Sequence, residues 1–100
     1  MNDLHKWLAM MEDVISSYDL NSDIKQLGNF VRRLEEILSM IDDPNEFNWK
    51  QEMLRNWGAL EDVYADALYT KRSEIPEDHI KIMKPAISKL KRLINERKSM

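Results

Sequence analysis

Apolar residues recur every three or four positions along four separate segments, and this period restricts the fold more than any other feature. In the first segment the repeating residues are Leu4, Trp7, Leu8, Met11, Val14, Ile15 and Tyr18. In the second they are Ile24, Leu27, Val31, Leu34, Leu38 and Ile41, with Phe30 and Ile37 beside them. Such a period places the residues on one face of a helix, so each segment is predicted to form an amphipathic α-helix.

The same period continues in the second half of the chain. The third segment carries Trp49, Met53, Trp57, Leu60, Tyr64 and Leu68, and the fourth carries Ile80, Met83, Ile87, Leu90 and Ile94. Only a few residues separate consecutive segments, which favours antiparallel neighbours. The sequence therefore predicts an all-α fold, an antiparallel up-down-up-down four-helix bundle formed as a single domain by residues 1–100.

Residues that can cap helices precede the first and third segments. Asn2 or Asp3 can cap the first helix. Before the third helix, Asp43 can cap, Pro44 can occupy the first helical position, and Glu46 can complete a capping box. These residues give the third helix the clearest predicted start in the chain.

The second and fourth helices have less regular boundaries. Asn21 or Ser22 can cap the second helix, and Ser73 or a nearby residue is expected to open the fourth, ahead of Pro76. Pro85 lies inside the fourth segment, where it lacks a backbone donor and crowds the preceding turn. We expect the last helix to be kinked or split at this proline.

The chain contains no cysteine. A disulfide, a thiolate metal site and a thiol nucleophile are therefore excluded, and the composition fits a reducing compartment. The N-terminal stretch MNDLHKWLAMMEDV lacks a basic flank, and Asp3, Glu12 and Asp13 interrupt its apolar residues. We expect neither a signal peptide nor a membrane span, and we expect a cytoplasmic protein.

Charge is distributed unevenly along this acidic chain, whose formal net charge is −3. Residues 1–70 contain six Lys/Arg against fourteen Asp/Glu, a balance of −8, and residues 71–100 contain nine against four, a balance of +5. Two interpretations fit this division. Either the basic last helix docks electrostatically on its neighbours, or one side of the fold faces a charged partner.

Residues that support catalysis or bind cofactors are scarce. Neither His5 nor His79 has a carboxylate at metal-ligand spacing on a shared apolar face, and no Glu-x-x-His motif occurs. Gly28 and Gly58 each stand alone in helical stretches, which excludes a glycine-rich phosphate loop. We therefore expect no metal, no cofactor and no enzymatic activity.

One motif supports an enzymatic alternative. The stretch RSEIPEDH places six residues between Arg72 and His79. This spacing is similar to the Arg-x(4–6)-His element of HEPN ribonucleases, which are also small all-helical domains. The resemblance implies that the arginine stabilises a phosphorane while the histidine transfers a proton.

Basic residues cluster in the last part of the chain. They are Lys81, Lys84, Lys89, Lys91, Arg92, Arg97 and Lys98. A basic helix can follow phosphates, so the alternative extends to a nucleic-acid-binding regulator that uses Arg72, His79 and the last helix. The acidic net charge and the absence of aromatic residues among these cations argue against nucleic acid, and the missing aromatic anchor argues against a membrane surface.

The third helix carries a second line of residues, roughly a third of a turn from its main stripe. These residues are Phe47, Gln51, Leu54, Gly58, Glu61, Ala65 and Tyr69. The line is either internal and packed on another helix of the bundle, or exposed and available to a helix from outside. The small residues Gly58 and Ala65 are expected to allow close approach of a second backbone.

We predict a partner-binding surface on this helix. Its residues are Phe47, Leu54, Gly58, Glu61, Asp62, Ala65, Asp66 and Tyr69. Phe47 and Tyr69 are the expected anchors, and the carboxylates form an acidic rim suited to a basic partner. By analogy with small acidic bacterial and phage proteins, we predict a non-enzymatic protein-binding module of the inhibitor, immunity, antitoxin or adaptor type, which binds a partner protein or itself stoichiometrically.

Overall fold

The computed structural model describes residues 3–99, and four α-helices account for most of them. Helix α1 spans Leu4–Ser17, α2 spans Ile24–Met40, α3 spans Phe47–Tyr69 and α4 spans Glu77–Lys98. A single 3-10 turn, Pro44–Glu46, leads directly into α3. The predicted all-α four-helix bundle is therefore confirmed.

Each helix packs against the two helices beside it, in the cyclic order α1, α2, α3, α4 and back to α1. Within the described part of the chain, the diagonal helices, α1 with α3 and α2 with α4, do not approach each other closely. The four helices thus surround one core in a body that measures 44 × 20 × 20 Å. The up-down-up-down order of the bundle stays a prediction.

The core consists of the apolar stripes of all four helices. The side chains with almost no exposed surface are Leu8, Met11, Leu27, Leu34, Leu38, Ile41, Met53, Leu60, Met83, Leu90 and Ile94. Every one of them belongs to a stripe predicted from the sequence. Trp7, Tyr18 and Ile24 are half-buried at the edges of this core.

The predicted stripe of the third helix is wrong at its end. Leu68 is 54% exposed, whereas Val63 and Ala67 are buried. The residues from Trp49 to Leu68 follow an average step longer than the helical period of about 3.6, so the predicted line winds around the helix by roughly 100°. By the last turn it has left the core side. In α4, Ala86 and Leu93 are additional core residues outside the predicted stripe.

The cap of α2 differs from the prediction, which named Asn21 or Ser22. The carboxylate of Asp23 accepts hydrogen bonds from the backbone N–H groups of Lys25 and Gln26. The Asn21 side chain instead accepts the backbone N–H of Asp23. Asn21 forms a turn that precedes the helix, and the residue that follows this turn is the cap.

At the start of α3, the predicted cap is confirmed and the capping box is wrong. Asp43 accepts the backbone N–H of Asn45 at 2.9 Å, and Pro44 opens the 3-10 turn. The Glu46 carboxylate is buried and pairs with the guanidinium of Arg97. A cation at the end of α4 thus replaces the backbone donor that a capping box would have used. At α1, Asp3 makes no side-chain cap, and Asn2 lies outside the described residues.

Helix α4 begins at Glu77, directly after Pro76, so the predicted start near Ser73 is wrong. Proline disfavours the helical conformation of the residue before it. That residue, Ile75, is buried instead and donates its N–H to the carbonyl of Ser22 at 2.9 Å. The helix continues through Pro85, so the predicted split is wrong, and the kink stays a prediction. None of the described helices has the length and apolarity needed to cross a membrane.

Candidate binding surfaces on helices α3 and α4

Two contacts with α2 fix the rotation of α3. The indole Nε1 of Trp57 donates to the carbonyl of Val31 at 2.9 Å. Two helical turns further along, the ring of Tyr64 lies against Gly28, where an added Cβ would come 2.6 Å from Tyr64 Cζ. The glycine that permits close helix packing is therefore Gly28 on α2.

A third contact ties α3 to α4. The indole Nε1 of Trp49 donates to the carbonyl of Leu93 at 2.9 Å. This bond joins the beginning of α3 to the last part of α4, while Asp66 near the end of α3 lies 3.9 Å from His79 near the beginning of α4. With both sides of α3 fixed, its remaining surface points away from the bundle.

The second line of α3 lies on this outward side. Tyr69 is 88% exposed, Phe47 is 60% exposed and Ala65 is also exposed. Leu54 and Gly58 are half-buried, and Leu54 packs against the edge of the core. The interpretation in which the whole line is internal is therefore wrong, because its two aromatic residues are accessible to a partner.

Within residues 3–99, no other helix approaches α3 closely at Gly58. An added Cβ at this glycine would have no neighbouring atom within 4 Å. Within this monomer, the predicted close backbone approach at Gly58 is wrong. The open space leaves a shallow gap in the middle of the outward face.

The predicted acidic rim divides into two parts. Glu61 is half-buried and lies one turn from Trp57 and Tyr64, on the side of α3 that faces α2. Asp62 and Asp66 line a groove of about 270 Å³ on the other side, between α3 and α4. Successive residues of a helix point about 100° apart, which separates Glu61 from Asp62.

The groove between α3 and α4 is mainly apolar. Its lining residues are Ala59, Asp62, Val63, Asp66, His79 and Ile82. Ile82 stands at its edge and is 55% exposed. Sequence reasoning missed Ile82, although its position outside the core stripe of the fourth helix was a usable signal.

The two residues of the ribonuclease-like motif approach the same carboxylate. Asp66 Oδ2 lies 3.8 Å from Arg72 Nε and 3.9 Å from His79 Nδ1. Both distances exceed hydrogen-bond length, so neither contact is a hydrogen bond. Nδ1 of His79 is shielded from solvent and has no hydrogen-bond partner among the residues that the structure describes.

The turn after α3 brings Arg72 back to Asp66. Lys71 adopts a positive φ of 54°. The N–H of Arg72 donates to the carbonyl of Ala67, and the N–H of Lys71 donates to the carbonyl of Leu68. This pair of bonds is the Schellman ending of a helix, in which a left-handed residue reverses the chain. The sequence predicts the end of the third helix in the stretch TKRSEIP, but nothing there marks Lys71 as left-handed, since glycine is the usual residue at such a position.

Apart from Arg92, which pairs with Glu96 within the helix at 3.5 Å, the cations of α4 fall into two groups. At its end, Arg97 pairs with Glu46 and Lys98 pairs with Glu12 on α1 at 2.8 Å. This group supports the interpretation in which the last helix docks electrostatically on its neighbours. The second group has no ion-pair partner among the described residues and consists of Lys81, Lys84, Lys89 and Lys91.

In the Glu46–Arg97 pair, the pKa values of both partners are shifted by their contact. Hydrogen bonds from the guanidinium of Arg97 lower the pKa of Glu46, and burial only partly opposes this effect. The same bonds raise the pKa of Arg97. The pair therefore stabilises the ionised forms of both groups and joins the entry of α3 to the end of α4.

Comparisons with known proteins add no assignment to these surfaces. No protein-family model, curated protein or solved structure matches the chain. Within residues 3–99, no three histidine, aspartate or glutamate side chains are grouped so that they could hold a metal ion.

Proposed function

We propose that this chain is a small non-enzymatic protein-binding module, of the inhibitor, immunity, antitoxin or adaptor type, that acts in stoichiometric complexes. The observation that carries the proposal is the outward face of α3, where Phe47 and Tyr69 are exposed at the two ends of one helix. Exposed aromatic side chains are frequent anchors of protein interfaces because they bury a large area with little loss of conformational freedom.

The shape of the face suits an extended partner. Helix α3 has 23 residues, and a helix rises about 1.5 Å per residue, so the face is roughly 34 Å long. The open space over Gly58 lets a second backbone come close at its centre. Glu61 beside the face favours a partner with positive charge, which contributes orientation and association rate more than affinity.

The test is capture of binding proteins from a lysate of the source cell, with the amount of each recovered protein measured. Tyr69→Asp should lose the partner, with affinity lowered at least about tenfold. Met10→Asp is the matched control, since Met10 is a partly exposed apolar residue on α1, and it should retain the partner. Recovery that is equal for wild type and Tyr69→Asp, or no recovered protein, overturns the proposal.

A second candidate function is phosphodiester cleavage in RNA, as the resemblance to HEPN ribonucleases implies. The convergence of Arg72 and His79 on Asp66 favours it. In this scheme the Asp66 carboxylate orients the imidazole of His79, which accepts the proton of the 2′-hydroxyl as its oxygen attacks the phosphorus. The guanidinium of Arg72 stabilises the charged phosphorane, the P–O5′ bond then breaks to leave a 2′,3′-cyclic phosphate, and the departing 5′-oxygen takes the proton back from His79.

This candidate is tested by incubating the purified protein with RNA and measuring cleavage. His79→Ala and Arg72→Ala should each lower the rate by about a hundredfold or more while the helical signal in circular dichroism is retained. The absence of cleavage by the wild-type protein, or equal cleavage by His79→Ala, removes the candidate.

A further inference from the structure

The turn between α3 and α4 contains the longest run of exposed residues in the described part of the chain. All seven residues of the segment 68–74 are exposed, and buried side chains, Ala67 and Ile75, stand at its two ends. The N–H groups of Ser73 and Glu74 make no backbone hydrogen bond within residues 3–99. The segment is therefore held mainly at its ends, and exposed polar turns of this kind are the preferred sites of proteolytic cleavage.

This segment carries an adjacent pair of basic residues, Lys71 and Arg72. Within residues 3–99, every other Lys and Arg belongs to one of the four helices. The adjacent basic pairs inside helices are Arg32–Arg33, Lys91–Arg92 and Arg97–Lys98. A protease can cut within a helix only after the helix unwinds locally. The fold therefore presents a basic pair in an accessible segment at one place.

The side chain of Arg72 is available to the specificity pocket of a protease. It is 42% exposed, and the carboxylate of Asp66 lies 3.8 Å from its Nε, beyond hydrogen-bond length. Trypsin-like serine proteases bind the basic side chain that precedes the cut bond through a carboxylate in their S1 pocket. That carboxylate can replace Asp66 without the loss of a hydrogen bond to the Arg72 side chain.

We propose that the Arg72–Ser73 bond is a processing site for a trypsin-like serine protease, and that the cut chain remains an assembled four-helix bundle. Hydrolysis adds one water across the bond, so the carbonyl of Arg72 becomes a carboxylate and the nitrogen of Ser73 becomes an α-ammonium group. The protease supplies the nucleophile and the base. The inference goes beyond the proposed function, because it concerns a covalent change of the chain and requires no binding partner at α3.

The turn can open without disturbing the core. The bonds that close α3 there run from the N–H of Lys71 to the carbonyl of Leu68 and from the N–H of Arg72 to the carbonyl of Ala67. Breaking them releases Lys71 from a positive φ of 54°, a conformation that residues other than glycine rarely adopt. All the side chains between Ala67 and Ile75 are already exposed. Unwinding the middle of a helix, by contrast, exposes its buried stripe.

Contacts away from the turn hold the cut chain together. The buried residues of α4 are Met83, Ala86, Leu90, Leu93 and Ile94. The guanidinium of Arg97 also remains paired with the buried carboxylate of Glu46. Residues 1–72 contain eight Lys/Arg against fourteen Asp/Glu, a balance of −6, and residues 73–100 contain seven against four, a balance of +3. We therefore expect the two fragments to elute together in gel filtration and to separate in denaturant.

Limited digestion of the purified full chain with trypsin, followed by mass spectrometry of the fragments over time, tests the site. Cleavage after Lys71 or Arg72 should be about a hundredfold or more faster than cleavage at Arg32–Arg33, because the helix must first unwind there. The double variant Lys71→Gln/Arg72→Gln should lose this fast cleavage. Arg32→Gln/Arg33→Gln is the matched control, since it removes an exposed basic pair from α2, and it should be cut at the turn at the wild-type rate.

Three results overturn the inference. They are cleavage at Arg32–Arg33 or Lys91–Arg92 as fast as at the turn, cleavage of Lys71→Gln/Arg72→Gln as fast as of wild type, and separate elution of the two fragments without denaturant. Circular dichroism confirms that each variant folds. Every measurement uses the purified chain alone, so failure of this inference and failure to recover a binding partner are separate outcomes.

Discussion

Replacing Arg97 by methionine should strongly destabilise the bundle. Glu46 is 5% exposed, and both of its carboxylate oxygens accept hydrogen bonds from Arg97. Removing one partner of a buried ion pair typically costs about 3–5 kcal/mol, because the other charge stays buried without compensation. The side chain of Arg97 is 20% exposed, so water can partly solvate Glu46, and we expect the lower end of that range, about 3 kcal/mol.

The assay is urea denaturation at neutral pH, followed by circular dichroism, for wild type, Arg97→Met and Lys98→Met. Lys98→Met is the matched control because it removes the exposed ion pair with Glu12, in which both side chains are nearly half exposed. Such surface pairs contribute at most about 1 kcal/mol. If the two variants lose the same free energy of unfolding, the assignment of Glu46–Arg97 as the main electrostatic link between α3 and α4 is refuted.

The remaining predictions concern pH and three backbone positions. The pKa of Glu46 is lowered in the folded state. The contribution of Glu46 to stability is therefore present above its unfolded pKa and is lost as the pH falls through its folded pKa. Glu46→Gln should make the unfolding free energy depend less on pH in denaturation curves recorded below about pH 5. Lys71→Gly should raise the unfolding free energy by about 1 kcal/mol, because it relieves a positive φ. Gly28→Ala should lower the thermal midpoint, because the added methyl overlaps Tyr64, whereas Gly58→Ala should raise stability by about 1 kcal/mol, since space is open there. Thermal denaturation should show that the two glycine-to-alanine substitutions change stability in opposite directions. A change in the same direction for both would contradict the packing described.

Helical period alone was sufficient for the core of α1 and α2. Every predicted position from Leu8 to Leu38 lies at or near the core, and Phe30 and Ile37, predicted beside the α2 stripe, are buried as well. In α3 the predicted stripe used longer steps, and the error grew until Leu68 was assigned to the core in place of Ala67. Periodicity therefore identifies a helix more reliably than it identifies the facing side of a long one.

Contacts between distant parts of the chain could not be predicted from the sequence. Glu46 and Arg97 are 51 positions apart, and only the folded bundle shows that they meet. The sequence favoured a local capping box for Glu46 because short-range patterns are the ones that a single sequence displays. A buried carboxylate finds the strongest available donor, and here that donor comes from the end of α4.

The candidate surfaces show the same limit. The sequence identified Phe47 and Tyr69 as anchors on one line of α3, and both are exposed. It grouped Asp62 and Asp66 with this line because they are adjacent in number, whereas the structure places them in the groove beside α4. Which helix fills each side of α3 depends on side chains such as Trp49 and Trp57, whose hydrogen bonds are made across helices.

The central claim is that the outward face of α3 binds a partner protein. Isothermal titration calorimetry of the captured partner against wild type and Tyr69→Asp tests it most directly. The account predicts one-to-one binding and a dissociation constant that rises about tenfold or more in Tyr69→Asp. Equal affinities for the two proteins would contradict it and would move the binding site away from α3.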